Sequence, residues 1–569
     1  MDRLRAWSFA HPRARAALRE GWGLSRRAAR RAHLPVPFQP DELRDLDAAV
    51  RAPLSESAAH GSGAGPRVLF LSMRGWSTHI MWEATLAHAT RLRGATPVFA
   101  TCGGRLPICD AANVHSAPPM PCWSCGEYAT SGLRTAGFDP LTLRDLVDVP
   151  AETRAARARV DAVHSVHECE EFVDDGLPVG RLVRISVAWF LARGSLPDND
   201  KVLDTYRRFL VSGQVLHRAF DRLLDRARPD RVVLLNGTFF AEAILFELCR
   251  RRGLPVVTYE RGFSADSLVL SAGRPAADLV VDDAHWRDAA SRPLGAVEAR
   301  LLDQVLDGRT RGEDLSDNFW ERRTEDVARI RADLRLPEGR PLAVLFSNIL
   351  WDSAVQGKEI GFAGLDAWIV ETIRGFARRP HADLVVRLHP AEIRLANHPT
   401  EERMGDVIAR EFPALPPNVR VVPPESDVSS YSLMSMATLG LVYTSTTGLE
   451  MAARGIPVVV TAMTHYRGRG FTVDADDVAT FWTEVDRLLA SRDAAEGERH
   501  RELARRYAAL FLLRFMQPLP LVHEETRGRP RLRWHSLEEL QPGRVPSLDR
   551  LCAGILDDAP VVTPVDELR

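Results

Sequence analysis

Short, unbroken apolar runs alternate along the chain with longer stretches in which apolar residues recur every three or four positions. Arg67-Val-Leu-Phe-Leu-Ser72, Arg231-Val-Val-Leu-Leu235 and Leu254-Pro-Val-Val-Thr-Tyr259 are runs of the first kind. Bounded by turn residues and lacking a period of two, they predict parallel strands buried on both faces. Residues 80–93 and the segment from Asn236-Gly237 to Arg252 carry the helical period, so strand, helix and strand follow one another twice. Between these units, residues 151–228 are largely helical in pattern, notably at 182–191 and 201–226, and predict a helical insertion. The alternation restarts after a polar segment near 306–340, with strand candidates at 342–346, 384–387, 419–422, 438–443 and 457–460. The expected fold class is α/β: two doubly wound Rossmann-like domains facing a cleft, with the helical insertion in the first.

Residues 52–66 are small and rich in Gly, Ser and Pro, the composition of a linker. They set an Arg-rich arm and linker, 1–60, apart from an amino-terminal domain expected at 61–335. A second domain is expected at 336–500, and 501–569 reads as an apolar helix, 507–515, with a Pro- and Arg-rich tail.

Composition narrows the classes. The 569 residues are 45% hydrophobic and 26% charged, which supports a large buried core and excludes collagen-like or disordered chains. Opposite charges nearly cancel, to a formal −2, so no global field attracts nucleic acid, and no nucleic-acid partner is expected. Only Lys201 and Lys358 are lysines, a bias read as genome composition. The opening residues lack the apolar run of a secretory signal, and no stretch of about 18 uncharged apolar residues follows, so a cytoplasmic protein is expected. The arginines of the first 32 residues read as a solvated helical arm, with peripheral rest on a membrane surface as the alternative.

Ligands of open α/β sheets bind at the carboxyl ends of the strands, and four strand-end segments are rich in polar residues: 73–79, 258–262, 387–392 and 444–450. In the last, Ser445, Thr446 and Thr447 precede a short helix holding Glu450. Hydroxyls and free N–H groups there suit a phosphate, and Glu450 a ribose diol. The competing reading is a capping box, Thr447-x-x-Glu450, that serves only its own helix.

Ser445-Thr-Thr-Gly-Leu-Glu450, followed by Ala452-Ala-Arg-Gly-Ile-Pro-Val-Val459, resembles the donor-nucleotide segment of GT-B glycosyltransferases. With Arg387-Leu-His389-Pro390 and His465-Tyr-Arg-Gly-Arg-Gly-Phe-Thr472, it is similar to the capsule polysaccharide biosynthesis proteins, a group related to Kdo and sialic acid transferases. The resemblance covers roughly 230–475. It implies that His389 and Ser445 to Thr447 hold the donor phosphate. Arg387 either joins them or pairs with a structural carboxylate such as Glu392. For the general base there are two candidates. His79 lies in the loop after the first strand, which faces the cleft in GT-B enzymes. Glu260, in Thr258-Tyr-Glu-Arg-Gly262, resembles the acidic-x-Gly element of such transferases, with Arg261 in the middle position instead of a second acid.

Asp474-Ala-Asp476 has the letters of a metal-binding pair but reads as the cap of the next helix, so transfer without a metal cofactor is expected. Cys102, Cys109, Cys122 and Cys125 place four of the seven cysteines within 24 residues. The expectation is a structural zinc, with iron–sulfur or redox chemistry and independent buried thiols as alternatives. The resulting expectation is a glycosyltransferase with a nucleotide-sugar donor and a glycan, lipid-linked or small-molecule acceptor. A nucleotide-sugar epimerase or hydrolase of the same architecture, or a non-catalytic scaffold of a glycan assembly complex, are the competing readings.

Overall fold

A computed structural model of the chain describes residues 11–32, 40–53, 65–313, 323–395, 398–490 and 493–568. The opening residues 1–10 and most of the expected linker lie outside the described residues. The fold is mixed α/β, with two mainly parallel sheets. Its strands are β1 (Arg67–Leu71), β2 (Thr96–Thr101), β3 (Leu141–Thr142), β4 (Arg231–Leu235), β5 (Val256–Arg261), β6 (Ser267–Ala272), β7 (Leu342–Phe346), β8 (Asp383–Arg387), β9 (Val419–Val422), β10 (Leu439–Val442), β11 (Val458–Val460), β12 (Val473–Asp474), β13 (Gln517–Pro518), β14 (Val522–Thr526) and β15 (Arg529–Leu532).

The chain forms two compact units, the first made of residues 1–191, 196–279 and 516–563 and the second of 192–195, 280–515 and 564–569. The division therefore falls at 279/280, where 335 was expected, because the segment after β6 packs with the second core. The carboxy-terminal segment then returns to the first unit.

The first unit's sheet runs β13-β6-β5-β4-β1-β2-β3, with β1 to β5 parallel and β6 and β13 antiparallel to their neighbours. Successive strand residues point to opposite faces. Leu69, Leu71, Val232 and Leu234 pack under the inserted helices, while Val68, Phe70, Val233 and Val257 pack on the other face. Both faces are covered, which is why these strands read as continuous apolar runs. The insertion consists of helices Val149–Val160, Val166–Glu170, Val179–Leu191 and Asp200–Ala227. The last begins where the Asn199 side chain accepts the Val202 N–H at 3.0 Å and ends at Arg228, left-handed at φ +43°, just before Pro229. It buries Tyr206, Phe209, Leu216, Phe220 and Leu223 along one side, each contributing roughly 1.5–3 kcal/mol.

The second unit's sheet, β12-β11-β10-β7-β8-β9, is parallel throughout. Its core joins Leu345, Val386 and Leu441 to Trp368, Ile373 and Phe376 of helix Leu365–Ala377 and to Phe481 and Val485 of helix Val478–Ala490. Counted within each unit, the second sheet follows the order 3-2-1-4-5-6 and the first the same order with β13 added at its edge, the winding reversing between the parallel first and fourth strands. That switch point lies between β1 and β4 in one unit and between β7 and β10 in the other, and each opens a crevice at the strands' carboxyl ends.

Candidate functional site

At the switch point of the first unit, the loop after β1 carries Arg74, which is 4% exposed. Its Nε and Nη2 donate to Asp110 Oδ1 at 2.8 and 2.7 Å, and Nη1 and Nη2 donate to Glu242 at 2.6 and 3.1 Å. Asp110 also accepts the Ser186 hydroxyl at 2.6 Å. The guanidinium lies over the rings of Trp76 and Phe239. With every face occupied, Arg74 ties the β1 loop, residue 110 and helix Phe240–Arg251 into one rigid block.

Beside it runs a second chain of polar groups. His79 is the third residue of helix Ser77–Leu92, not a loop residue as expected. Its Nδ1 lies 3.2 Å from the Tyr259 hydroxyl, which donates to Glu83 Oε1 at 2.7 Å. Ser72 donates to the other Glu83 oxygen. Since the tyrosine proton is spent on Glu83, the His79 Nδ1–H is the donor to Tyr259, which leaves Nε2 as the imidazole's acceptor. Burial, aided by Arg261 and Arg74, pushes the His79 pKa down to about 3. Burial pushes Glu83 up to about 7 against the hydrogen bonds from Ser72 and Tyr259.

Glu260 stands near the end of β5, half-buried. Its Oε1 accepts the Arg261 N–H at 2.7 Å and its Oε2 accepts Asn236 Nδ2 at 3.1 Å. Asn236 itself follows β4 with φ +20°, on the edge of a region rarely used by non-glycine residues. Burial raises the Glu260 pKa. Arg261 does not pair with it: its guanidinium goes to Glu524 and lies 5.0 Å from the Trp82 ring centroid. Glu524 belongs to β14, so the returning carboxy-terminal segment supplies part of this site and also accepts the Thr78 hydroxyl at 2.5 Å.

At the switch point of the second unit, three strand-end loops are stitched together. Ser347, after β7, accepts the His389 N–H at 3.0 Å, and Asn348 accepts the Thr444 N–H at 3.4 Å. His389 Nδ1 accepts the Ala391 N–H at 3.1 Å, which fixes the neutral tautomer with its proton on Nε2. Burial, with Arg387 nearby, lowers its pKa to about 4. Ser445 and Thr447 share a hydroxyl hydrogen bond of 2.8 Å, Ser445 Oγ accepts the Thr447 N–H at 3.2 Å, and Thr446 occupies the cap position of helix Thr447–Ala453. Tyr466 donates to the Ser445 carbonyl at 2.6 Å, and its hydroxyl fills the space that a side chain at Gly448 would need. The His465 motif therefore props this turn from within: His465 is stacked on Phe511 and contacts the Tyr507 hydroxyl at 3.1 Å.

Two expected donor contacts are committed elsewhere. Arg387 is 2% exposed and donates to the carbonyls of Pro423 and Ser426 at 2.6 and 3.2 Å, clamping the loop after β9; it pairs with neither a phosphate site nor Glu392. Burial lowers its pKa to about 10. Glu450, 3% exposed, pairs with Arg309 at 3.0 Å, which is neither the ribose-facing nor the capping-box arrangement. Asp474 accepts the Gly468 N–H and the Thr472 hydroxyl, and Asp476 pairs with Arg467. The cap expected from them is instead Asp477, which accepts the Thr480 N–H at 2.7 Å.

Cys102 is buried just after β2, Cys109 follows in the next loop, and Cys122 and Cys125 open helix Cys122–Thr135. All are free thiols, with Cys122 and Cys125 pushed up to about 12 and about 11 chiefly by burial. Among the described residues no group of three or more His, Cys, Asp or Glu side chains is arranged to hold a metal, so the zinc expected at these four cysteines has no preformed site.

No family model and no curated protein matches the chain. Solved structures do. KpsC of Thermosulfurimonas dismutans, a beta Kdo 2,7 transferase, aligns at 17% identity over 46% of this chain and 73% of its own, with a TM-score of 0.30. The beta Kdo 2,4 transferase of the same organism aligns at 16% identity over 55% and 87%, TM-score 0.31. The UDP-GlcNAc 2-epimerase of Neisseria meningitidis bound to UDP-GlcNAc aligns at 10% identity over 77% and 94%, TM-score 0.25. Kdo transferases and an epimerase are thus among the similar structures. At these TM-scores the architecture rests on the chain's own strand order.

Reading the sequence for motifs missed Arg74, Asp110 and Glu242, which lie 36 and 168 residues apart, and Glu83, hidden in the buried helix Ser77–Leu92. A charged residue within an otherwise apolar helix was the available signal for Glu83. Ser347 and Asn348, directly after an apolar strand, were legible by the strand-end rule applied to the other loops.

Proposed function

We propose that the chain is a glycosyltransferase that moves a sugar from a nucleotide donor to the hydroxyl of a glycan, lipid-linked or small-molecule acceptor. The observation that carries this reading is Glu260: a half-buried carboxylate at a switch-point strand end, held by two N–H donors and making no ion pair among the described residues. A carboxylate with a raised pKa is suited to take a proton from an acceptor hydroxyl. His79 is the weaker base, because burial disfavours its protonated form; its Nε2 orients the acceptor by accepting a hydrogen bond. As the acceptor oxygen bonds to the anomeric carbon, the bond from that carbon to the nucleotide phosphate breaks. The departing phosphate takes hydrogen bonds from His389 Nε2–H and from whichever of the paired Ser445 and Thr447 hydroxyls keeps its proton free. Arg387 and Glu450 shape this half without touching the donor. No divalent cation is assigned to the donor, since Asp474 and Asp476 are engaged within the protein.

The test is an assay of UDP-, GDP-, CMP- and ADP-sugars with and without acceptor mixtures. Nucleotide release that requires an acceptor supports transfer. Turnover of the donor alone indicates an epimerase or hydrolase, and no turnover with any donor indicates the scaffold.

A further inference from the structure

Helix Pro12–Arg31, expected as a solvated arm, is docked on helix Cys122–Thr135. Glu20, 3% exposed, accepts the Trp123 N–H at 2.8 Å and the Ser124 hydroxyl, which caps the second helix. At Gly23 a side chain would collide with the Ser124 backbone, so the two helices meet at van der Waals contact. Beside this contact lies a cavity of about 530 Å³, within the range of small-molecule sites.

The lining sets two arginines and one carboxylate, Glu127, against an aromatic wall. Arg19 and Arg26 reach it from the first helix, and Trp22, Trp76 and Tyr128 provide ring surface. The Nε and Nη2 of Arg26 are buried with no hydrogen-bond partner among the described residues, and Arg19 has no ion pair among them. Burying two guanidinium nitrogens without acceptors for their hydrogens is costly. Nearby carboxylates, Glu127 first, relieve it only through space, since each is hydrogen-bonded elsewhere. Glu127 pairs with Arg30 at 2.5 Å, Glu42 takes the Tyr128 hydroxyl at 2.8 Å, and Glu20 is spent on the helix cap. Burial correspondingly lowers the Arg26 pKa.

We propose that this cavity is a binding site for a phosphate monoester carried on an aromatic or aliphatic body, with Arg26 and Arg19 holding the oxyanion and Trp22 and Trp76 packing on the body. A planar guanidinium matches phosphate oxygens two at a time, and the ligand supplies the acceptors that the protein withholds. The site shares Trp76 with the switch point of the first unit, where that ring lies against Arg74 and His79, but it uses neither His79, Glu260 nor any residue of the second unit.

Isothermal titration of the full chain with phenyl phosphate and with inorganic phosphate tests it. Saturable binding of phenyl phosphate is expected, at least about tenfold tighter than inorganic phosphate and weakened at least about tenfold in Arg26→Gln. Arg19→Gln, at an exposed helix position that the fold tolerates, is expected to weaken it severalfold, while Arg44→Gln, outside the cavity, leaves it unchanged. Absence of saturable binding up to about 10 mM, a value corresponding to only a few kcal/mol, overturns the proposal. So does binding unaltered in Arg19→Gln and Arg26→Gln with their thermal unfolding unchanged, and equal affinity for inorganic phosphate overturns the role of the aromatic wall.

Discussion

The two units share one strand order yet fill their switch points with opposite materials. In the first, the crevice floor is charged: Arg74 is locked between Asp110 and Glu242, and the His79–Tyr259–Glu83 chain runs beside it. In the second, the corresponding place is lined by hydroxyls, amides and one neutral histidine, and its strand-end arginine, Arg387, is turned away to clamp a loop. Identical sheet wiring thus fixes where a ligand can sit without fixing the chemistry, which is set by the side chains at the strand ends. The first arrangement is suited to proton transfer and the second to holding a polar ligand by neutral donors.

The largest effect that sharpens this contrast is on rate. Glu260→Gln is expected to lower transfer by about 10²–10⁴-fold while nucleotide affinity changes less than about twofold. Steady-state kinetics and direct titration of the same variant check the two halves, and a parallel loss of affinity would erase the division of labour. Next is stability. Arg74→Met leaves Asp110 and Glu242 buried together without their cation and should cost about 3–5 kcal/mol in denaturant unfolding. Arg387→Met removes a donor from two carbonyls and should cost only about 1–3 kcal/mol. Similar losses for both would mean that the charged block is no more than another loop clamp.

A smaller effect is expected from His389→Ala, which should weaken nucleotide binding by about tenfold with the melting temperature preserved. The last effect concerns pH. Glu83 has its folded pKa, about 7, above its ordinary 4.5, so between these values the folded state binds more protons than the unfolded one. Its contribution to stability is therefore full below about pH 4.5 and falls as pH rises to about 7. In Glu83→Gln that component of the slope should vanish. His79, lowered to about 3, acts in the opposite sense, its contribution falling as pH drops below 6.5, so His79→Gln should flatten the acid side.

How much of this was legible follows from what each feature depends on. Strands β4 and β7 were readable to the residue, and β1 to within one, because burial on both faces forces unbroken apolar runs. The helical insertion was readable from its period. By contrast, β13 is a two-residue strand at the edge of the first sheet, where no continuous run is demanded, and the return of residues 516–563 depends on contacts hundreds of residues distant. At the sites, place after a strand pointed to Glu260, and motif spacing pointed to His389 and the Ser445–Thr447 turn, all in strand-end segments. It misjudged Arg387 and Glu450, because a local motif does not reveal that a carbonyl loop or Arg309 will claim the side chain first. Asp110 and Glu242 escaped for the same reason: their partner is chosen by folding.

The measurement that tests the account most directly is titration of the wild-type chain, His389→Ala and Glu260→Gln with UDP, GDP, CMP and ADP. The expected result is that one nucleotide binds the wild type, loses about tenfold in affinity in His389→Ala and binds Glu260→Gln as before. Absence of binding by any of the four, or binding that depends on Glu260 and not on His389, would contradict the assignment of the donor to the second unit.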